Sequence, residues 1–187
     1  MLEIKTKTLQ ALLNQVIESH FRAFANCAEV FSDTLQNGNT IFWCGNGGSA
    51  AESSHLAAEL IGRFKNNRRP LPSISLNADL AALTCIANDF GYEQVFARQL
   101  LGLGRPGDLL IVLSTSGESQ NIIEALKVAK QIGVASIALL GKNGGGALSQ
   151  ADFSILIDST ETARIQEVHL LLGHTLCEYA EGEMNFG

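Results

Sequence analysis

Apolar residues recur with helical spacing through residues 7–35, at Leu9, Leu12, Leu13, Val16, Ile17, Phe21, Phe24, Ala25, Ala28, Val30 and Phe31. This spacing predicts N-terminal helices within residues 1–36, with a break near Ser19-His20 dividing them in two. Asn37-Gly38-Asn39 supplies the residues of a left-handed stop. The period then changes. Short continuous apolar runs at Thr40 to Cys44, Ser73 to Leu76, Leu109 to Leu113, Ala135 to Leu140 and Phe153 to Ile157 read as strands buried on both faces. Helical patterns at Asp79 to Ala87, Glu93 to Leu103 and Asn121 to Ile132 separate them. A short helix is expected near Leu148, and Ala163 to Met184 predicts a long last helix. Strands alternating with helices predict an α/β three-layer sandwich around a parallel sheet of about five strands, with right-handed crossovers. Neither a repeat nor a linker interrupts the pattern, so residues 1–187 are read as one domain.

Composition changes this picture modestly. Hydrophobic residues make up 46% and charged residues 17%, so some surface is expected to be covered by other subunits. The net charge of −6 and the lack of any basic run beyond Arg68-Arg69 argue against nucleic acid as a partner. Cys27, Cys44, Cys85 and Cys177 form no C-x-x-C pair, and thiols in a reducing cytosol are the simpler reading. The first ten residues lack an apolar run, so no secretory leader is expected there. No apolar run approaches the roughly 18 residues of a membrane span. A cytoplasmic protein is expected.

Two turns carry candidate chemistry. Gly45-Asn46-Gly47-Gly48 follows the first strand, and Ser49 with Glu52 has the S-x-x-E form of a capping box opening a helix. Helix N-termini present unpaired N–H donors and a positive dipole end, so this is an anion cradle. It lacks the G-x-G-x-x-G spacing of a dinucleotide site, and Asp79 lies 34 positions past Gly45, too far for its acidic residue. No Walker A loop is present either, because Lys142 precedes its glycines. The second turn, Ser114-Thr115-Ser116-Gly117-Glu118-Ser119, sets the hydroxyls of Ser114, Thr115, Ser116 and Ser119 at another helix start. A simple cap needs one hydroxyl; four make a phosphate grip the better reading. Glu118 is expected to point into solvent. Both turns fall at the carboxyl ends of strands, where such sheets bind ligands.

His55 and Glu59 stand at i and i+4 on the helix behind the first turn, one face carrying both. Glu59 sits amid Leu56, Ala57, Ala58, Leu60 and Ile61; alone it would be an ordinary helix-face carboxylate, but His55 and the adjoining turn favour acid/base work. Gln166, His169 and His174 recur on the last helix. Gln166 and His174 are eight residues apart, about 12 Å along a regular helix and about 80° around it. Gln166 and His169 face one way more easily, and the spacing leaves both pairings open.

CGNGGSAAESSHLAAELIGRF, NDFG from Asn88 to Gly91, STSGES and TARIQEVHLLLGH together resemble the sugar isomerase (SIS) domain family across essentially the whole chain. The resemblance implies a flavodoxin-like SIS fold whose N-terminal helices pack a homotetramer with shared active sites. It implies conversion of sedoheptulose 7-phosphate, a phosphorylated seven-carbon sugar, to D-glycero-D-manno-heptose 7-phosphate, the first step toward ADP-heptose and lipopolysaccharide core. Carried over by motif, Ser114, Thr115, Ser116 and Ser119 hold phosphate. Asn46, Gly47, Gly48, Ser49, Arg63, Asn88, Asp89 and Gln166 serve the sugar, together with Glu59. Glu59 and His174 fall on the family's acid/base pair, and His55, Glu59, Gln166 and His174 on its Zn²⁺ ligands. Ala163 replaces an acidic residue found in some members, and Glu118 stands where Asn is frequent.

Aldose–ketose isomerisation needs a base moving a proton between C1 and C2, an acid at the carbonyl oxygen, and a remote phosphate grip. Glu59 as base and His174 as acid satisfy it. A family relative that binds a bacterial replication initiator without catalysis lacks this Glu and His pair. Among other phosphosugar isomerases and sensing modules, arabinose 5-phosphate isomerases usually add nucleotide-binding regulatory domains and SIS regulators add DNA-binding ones, and this chain is expected to have room for neither.

Overall fold

The computed structural model describes residues 1–184. Helix α1 (Leu2–Gln36) leads into strand β1 (Ile41–Gly45), helix α2 (Gly48–Ile61) and strand β2 (Ser73–Ser75). Helices α3 (Leu80–Phe90) and α4 (Ala97–Leu103) precede strand β3 (Leu109–Ser114), helix α5 (Gln120–Ile132) and strand β4 (Ala135–Gly141). Strand β5 (Phe153–Ile157) and helix α6 (Thr162–Glu183) follow. The strands run parallel in the order β2-β1-β3-β4-β5. The chain thus winds outward both ways from β1 and β3, and the crevice beyond their carboxyl ends is the switch point of the sheet.

The continuous apolar strands divide their side chains between two cores. Ile41 and Trp43 of β1 pack with Leu109 and Ile111 of β3 under α1, α2 and α6. Phe42 and Cys44 pack with Leu110 and Val112 against Phe96, Leu100, Ile122 and Leu126 of the α4 and α5 layer. Alternation across the pleat makes the three layers.

Three local expectations are revised. Helix α1 is one uninterrupted helix of 35 residues, with no break at Ser19-His20. Its Leu12, Val16, Cys27, Ala28 and Phe31 share one buried stripe, and packing on that stripe keeps the helix whole. The helix expected from Glu93 is a short 3-10 turn, Tyr92–Gln94, before α4. Ser49 and Glu52 do not form a capping box. Gly47, at φ +58°, turns the chain straight into α2, leaving Ser49 inside the first turn. Asp79, by contrast, caps α3 by accepting from the Ala82 amide at 2.9 Å. Cys27, Cys44 and Cys177 are buried, whereas Cys85 is exposed.

Candidate active site

The turns after β1 and β3 enclose a cleft of about 250 Å³ lined by Asn46, Gly47, Gly48, Ser49, Ser114, Thr115, Ser116, Ser119, Thr162 and Gln166. The glycines are needed by close approach. A Cβ on Gly48 would stand 2.4 Å from Nε2 of Gln166, and one on Gly117 would overlap the Gly144 carbonyl oxygen. The phosphate-type turn is thereby backed directly by the 144–146 glycine loop. Ser114 Oγ accepts from the Gly117 amide at 3.0 Å, and Ser116 Oγ accepts from the Glu118 amide at 3.2 Å. Each hydroxyl shapes the turn through its oxygen and keeps its O–H to donate to a ligand. Ser119 occupies the N-cap position of α5 without making a side-chain cap bond, which removes the purely capping reading. Glu118 is exposed, as expected. No cation among the described residues lines the cleft, so an anion there would rest on hydroxyls, amides and the α5 dipole.

Asn46 is fixed on the other wall. Its Nδ2 donates to Asn121 Oδ1 at 2.9 Å, and its Oδ1 accepts from Asn121 Nδ2 at 2.9 Å and from the Tyr92 hydroxyl at 3.0 Å.

Farther down α2, His55 and His174 bring their Nε2 atoms to 2.8 Å, and Glu59 Oε1 lies 3.3 Å from His55 Nε2. Helices α2 and α6 pass close enough for this because Gly173 has no side chain; a Cβ there would lie 2.4 Å from Leu56 Cδ1. Burial, and then the neighbouring His55, hold the His174 pKa below its ordinary value. One ligand atom from each of His55, Glu59 and His174 falls within 4.8 Å of the others. Donors about 2.0–2.2 Å from a tetrahedral zinc lie roughly 3.3 Å apart, so an N₂O set of this spacing fits such an ion. Gln166 sits elsewhere on that face, its amide against Gly48 in the cleft.

Arg63, Asn88 and Asp89 are exposed, and none lines the cleft. Asn88 Nδ2 donates to Asp89 Oδ1 at 2.7 Å on α3, a helix with no buried residue. His169 is buried against the sheet, where desolvation lowers its pKa to about 4. Glu52, the failed capping residue, has a buried Oε2 without a partner, and burial raises its pKa to about 7. No motif assigns a role to Thr162, which lines the cleft, or to Tyr92 and Asn121, which hold its Asn46; only the fold brings them together.

A doubly wound parallel sheet with a hydroxyl-lined anion turn at its switch point, beside a His–Glu–His cluster, defines a sugar-phosphate domain of the SIS class. The family described as SIS domain matches residues 6–141. A phosphoheptose isomerase of Akkermansia muciniphila is 48% identical over 183 residues, covering 93% of this chain and 97% of its own. One from Aliarcobacter butzleri is 47% identical over 176 residues, covering 94% and 93%. The solved phosphoheptose isomerase of Neisseria gonorrhoeae superposes with a TM-score of 0.90 at 36% identity, over 97% of both chains. The chain belongs to the phosphoheptose isomerase family of SIS domain proteins.

Proposed function

We infer that the chain interconverts sedoheptulose 7-phosphate and D-glycero-D-manno-heptose 7-phosphate by moving a proton between C1 and C2. The observation that carries this is the meeting of His55, Glu59 and His174 on α2 and α6, the two helices whose N-terminal ends line the hydroxyl cleft. The family's near-full-length relatives support the substrate. A retained Glu and His pair also favours catalysis over the initiator-binding reading.

The chemistry follows from the groups. Ser114, Thr115, Ser116 and Ser119 donate hydrogen bonds to the phosphate oxygens, and Asn46, Ser49 and Gln166 orient the sugar chain. Glu59 takes the C1 proton of the ketose while His174 gives a proton to O2, producing an enediol. Return of the carbon-bound proton to C2 and removal of the O1 proton complete the aldose, with no net change in the enzyme. His55, Glu59 and His174 would hold a zinc ion, whereas Gln166, the fourth ligand that the family resemblance implies, has its amide against Gly48 in the cleft. Such an ion supplies polarisation of a carbonyl oxygen. A tight ligand is not at once a free proton carrier, so zinc occupancy and proton transfer by Glu59 and His174 are separable states.

We place the reaction at the first step toward ADP-heptose, in the cytoplasm. No helix among the described residues is long and apolar enough to cross a membrane. A homotetramer with shared sites is proposed as the working form. Exposed Ile17, Phe21 and Leu171 border an apolar groove between α1 and α6, and α3 lacks a buried face. Coverage of α3 by another subunit would also give Asn88 and Asp89 a site to serve.

Incubating purified protein with sedoheptulose 7-phosphate and following the aldose product tests the reading. Turnover is expected. Its absence, with and without added Zn²⁺, would leave the initiator-binding alternative standing.

A further inference from the structure

The loop between α2 and β2 is tied down more firmly than a connection requires. Glu181, 4% exposed near the end of α6, accepts from the backbone amides of Phe64, Lys65 and Asn66 at 3.1, 3.0 and 2.9 Å. Its Oε1 also takes Arg68 Nε at 2.7 Å. The Arg68 side chain is fully buried, and its two terminal nitrogens donate at 2.8 Å to the carbonyls of Glu59 and Leu60. Those carbonyls belong to the last turn of α2, where they have no partner within the helix. One buried ion pair thus locks the end of the helix that bears Glu59, the end of the helix that bears His174, and the loop between. Near the start of that loop the Phe64 ring lies over His174, centroids 5.4 Å apart and planes 17° from parallel.

We propose that Phe64 is a positioning residue of the isomerase, its ring fixing the plane of the His174 imidazole while the Arg68–Glu181 clamp fixes Phe64. Every use of His174 depends on where its Nε2 points, whether toward substrate or toward a shared ion. His55 meets the ring edge-on at 81°, the two Nε2 atoms 2.8 Å apart, so it bears on the ring's edge while Phe64 bears on its face. Motif-based carry-over assigns no role to Phe64, Arg68 or Glu181. The inference rests on the assignment of Glu59 and His174 as the reacting pair.

Phe64→Leu keeps apolar volume and removes the stack; Phe64→Tyr keeps the stack. Phe64→Leu is expected to lower kcat about tenfold with KM within about twofold, because a misoriented proton carrier damages the reacting geometry and not the phosphate grip. Phe64→Tyr should stay near wild type. An unchanged kcat in Phe64→Leu, equal damage in both variants, or KM rising in step would overturn the proposal. Should Phe64→Leu fail to fold, the ring-current shift of the His174 Hε1 proton in the wild-type NMR spectrum decides. An upfield position upholds the stack, and an unshifted one sinks it. Glu59→Gln and His174→Ala separate the two inferences: full turnover in both would end the acid/base assignment while leaving the NMR test intact.

Discussion

The two walls of the site are built from different materials. The wall after β3 is made of backbone and short hydroxyls, locked by Gly117 against the 144–146 loop, its one carboxylate, Glu118, standing outside the cleft lining. The wall between α2 and α6 is made of long titratable side chains whose positions depend on two helices and a clamped loop. The first can bind tightly without favouring one stage of the reaction over another. Only the second can change its bonding as protons move. In the reaction proposed above, binding and chemistry are thereby separated, which fits an enzyme that holds its substrate far from the reacting carbons.

The largest effect should come from the chemical wall. Glu59→Gln and His174→Ala are each expected to lower kcat by about 10²–10⁴ with little change in KM, read in steady-state assays. A comparable rise in KM instead would erase the division between the walls.

Folding stability offers the next contrast, between a histidine kept from the site and those within it. His169 is neutral when folded, with a pKa near 4, whereas unfolded it titrates near 6.5. The unfolded chain therefore binds the extra proton between those values, so stability falls as pH drops from about 6.5 toward 4 and levels off below. The contribution at stake is on the order of 3 kcal/mol. Denaturant midpoints across that window should show the slope, and a His169→Leu variant that keeps it would refute the assignment.

The binding wall should respond more gently. Ser116→Ala or Ser119→Ala removes one donor to a charged oxygen and is expected to raise KM about tenfold, with kcat nearly kept. Loss of kcat alone would place those hydroxyls in the wrong half of the site.

The smallest expected effect concerns Glu52, which is only partly buried, so solvent screening discounts its shift against that of the fully buried His169. Its folded pKa of about 7 lies above the ordinary carboxyl value of 4.5, so the unfolded chain releases its proton first as pH rises between them. That contribution to stability is present below the window and lost above it. Glu52→Gln should raise the thermal midpoint at pH 8 and leave it nearly unchanged at pH 4.5.

What could be read from residue order divides along the same line. The hydroxyl turn is contiguous, so Ser114 to Ser119 announced itself, as did the i, i+4 pair of His55 and Glu59. The strands were readable because burial on both faces leaves uninterrupted apolar runs. The capping box misled because Ser49 and Glu52 have the right identities, but Gly47 starts α2 before either can act. The break at Ser19-His20 misled because a polar pair on the exposed side of a packed helix interrupts nothing. Phe64, Arg68 and Glu181 were invisible for another reason: Phe64 and Arg68 lie 117 and 113 residues before Glu181 and meet it only through the crossing of α2 and α6. Arg68 looked like part of a short basic run and is instead buried.

The unbroken span of α1 has one more consequence. At about 1.5 Å per residue its 35 residues reach roughly 52 Å, well beyond the 30 Å or so of a small domain. Leu2, Ile4, Ile17 and Phe21 consequently stand more than 60% exposed. The homotetramer proposed above would cover that apolar surface, which a lone copy leaves in water, so mass action should then govern the fold's durability. The melting temperature should climb with protein concentration, and dilution alone should weaken the fold.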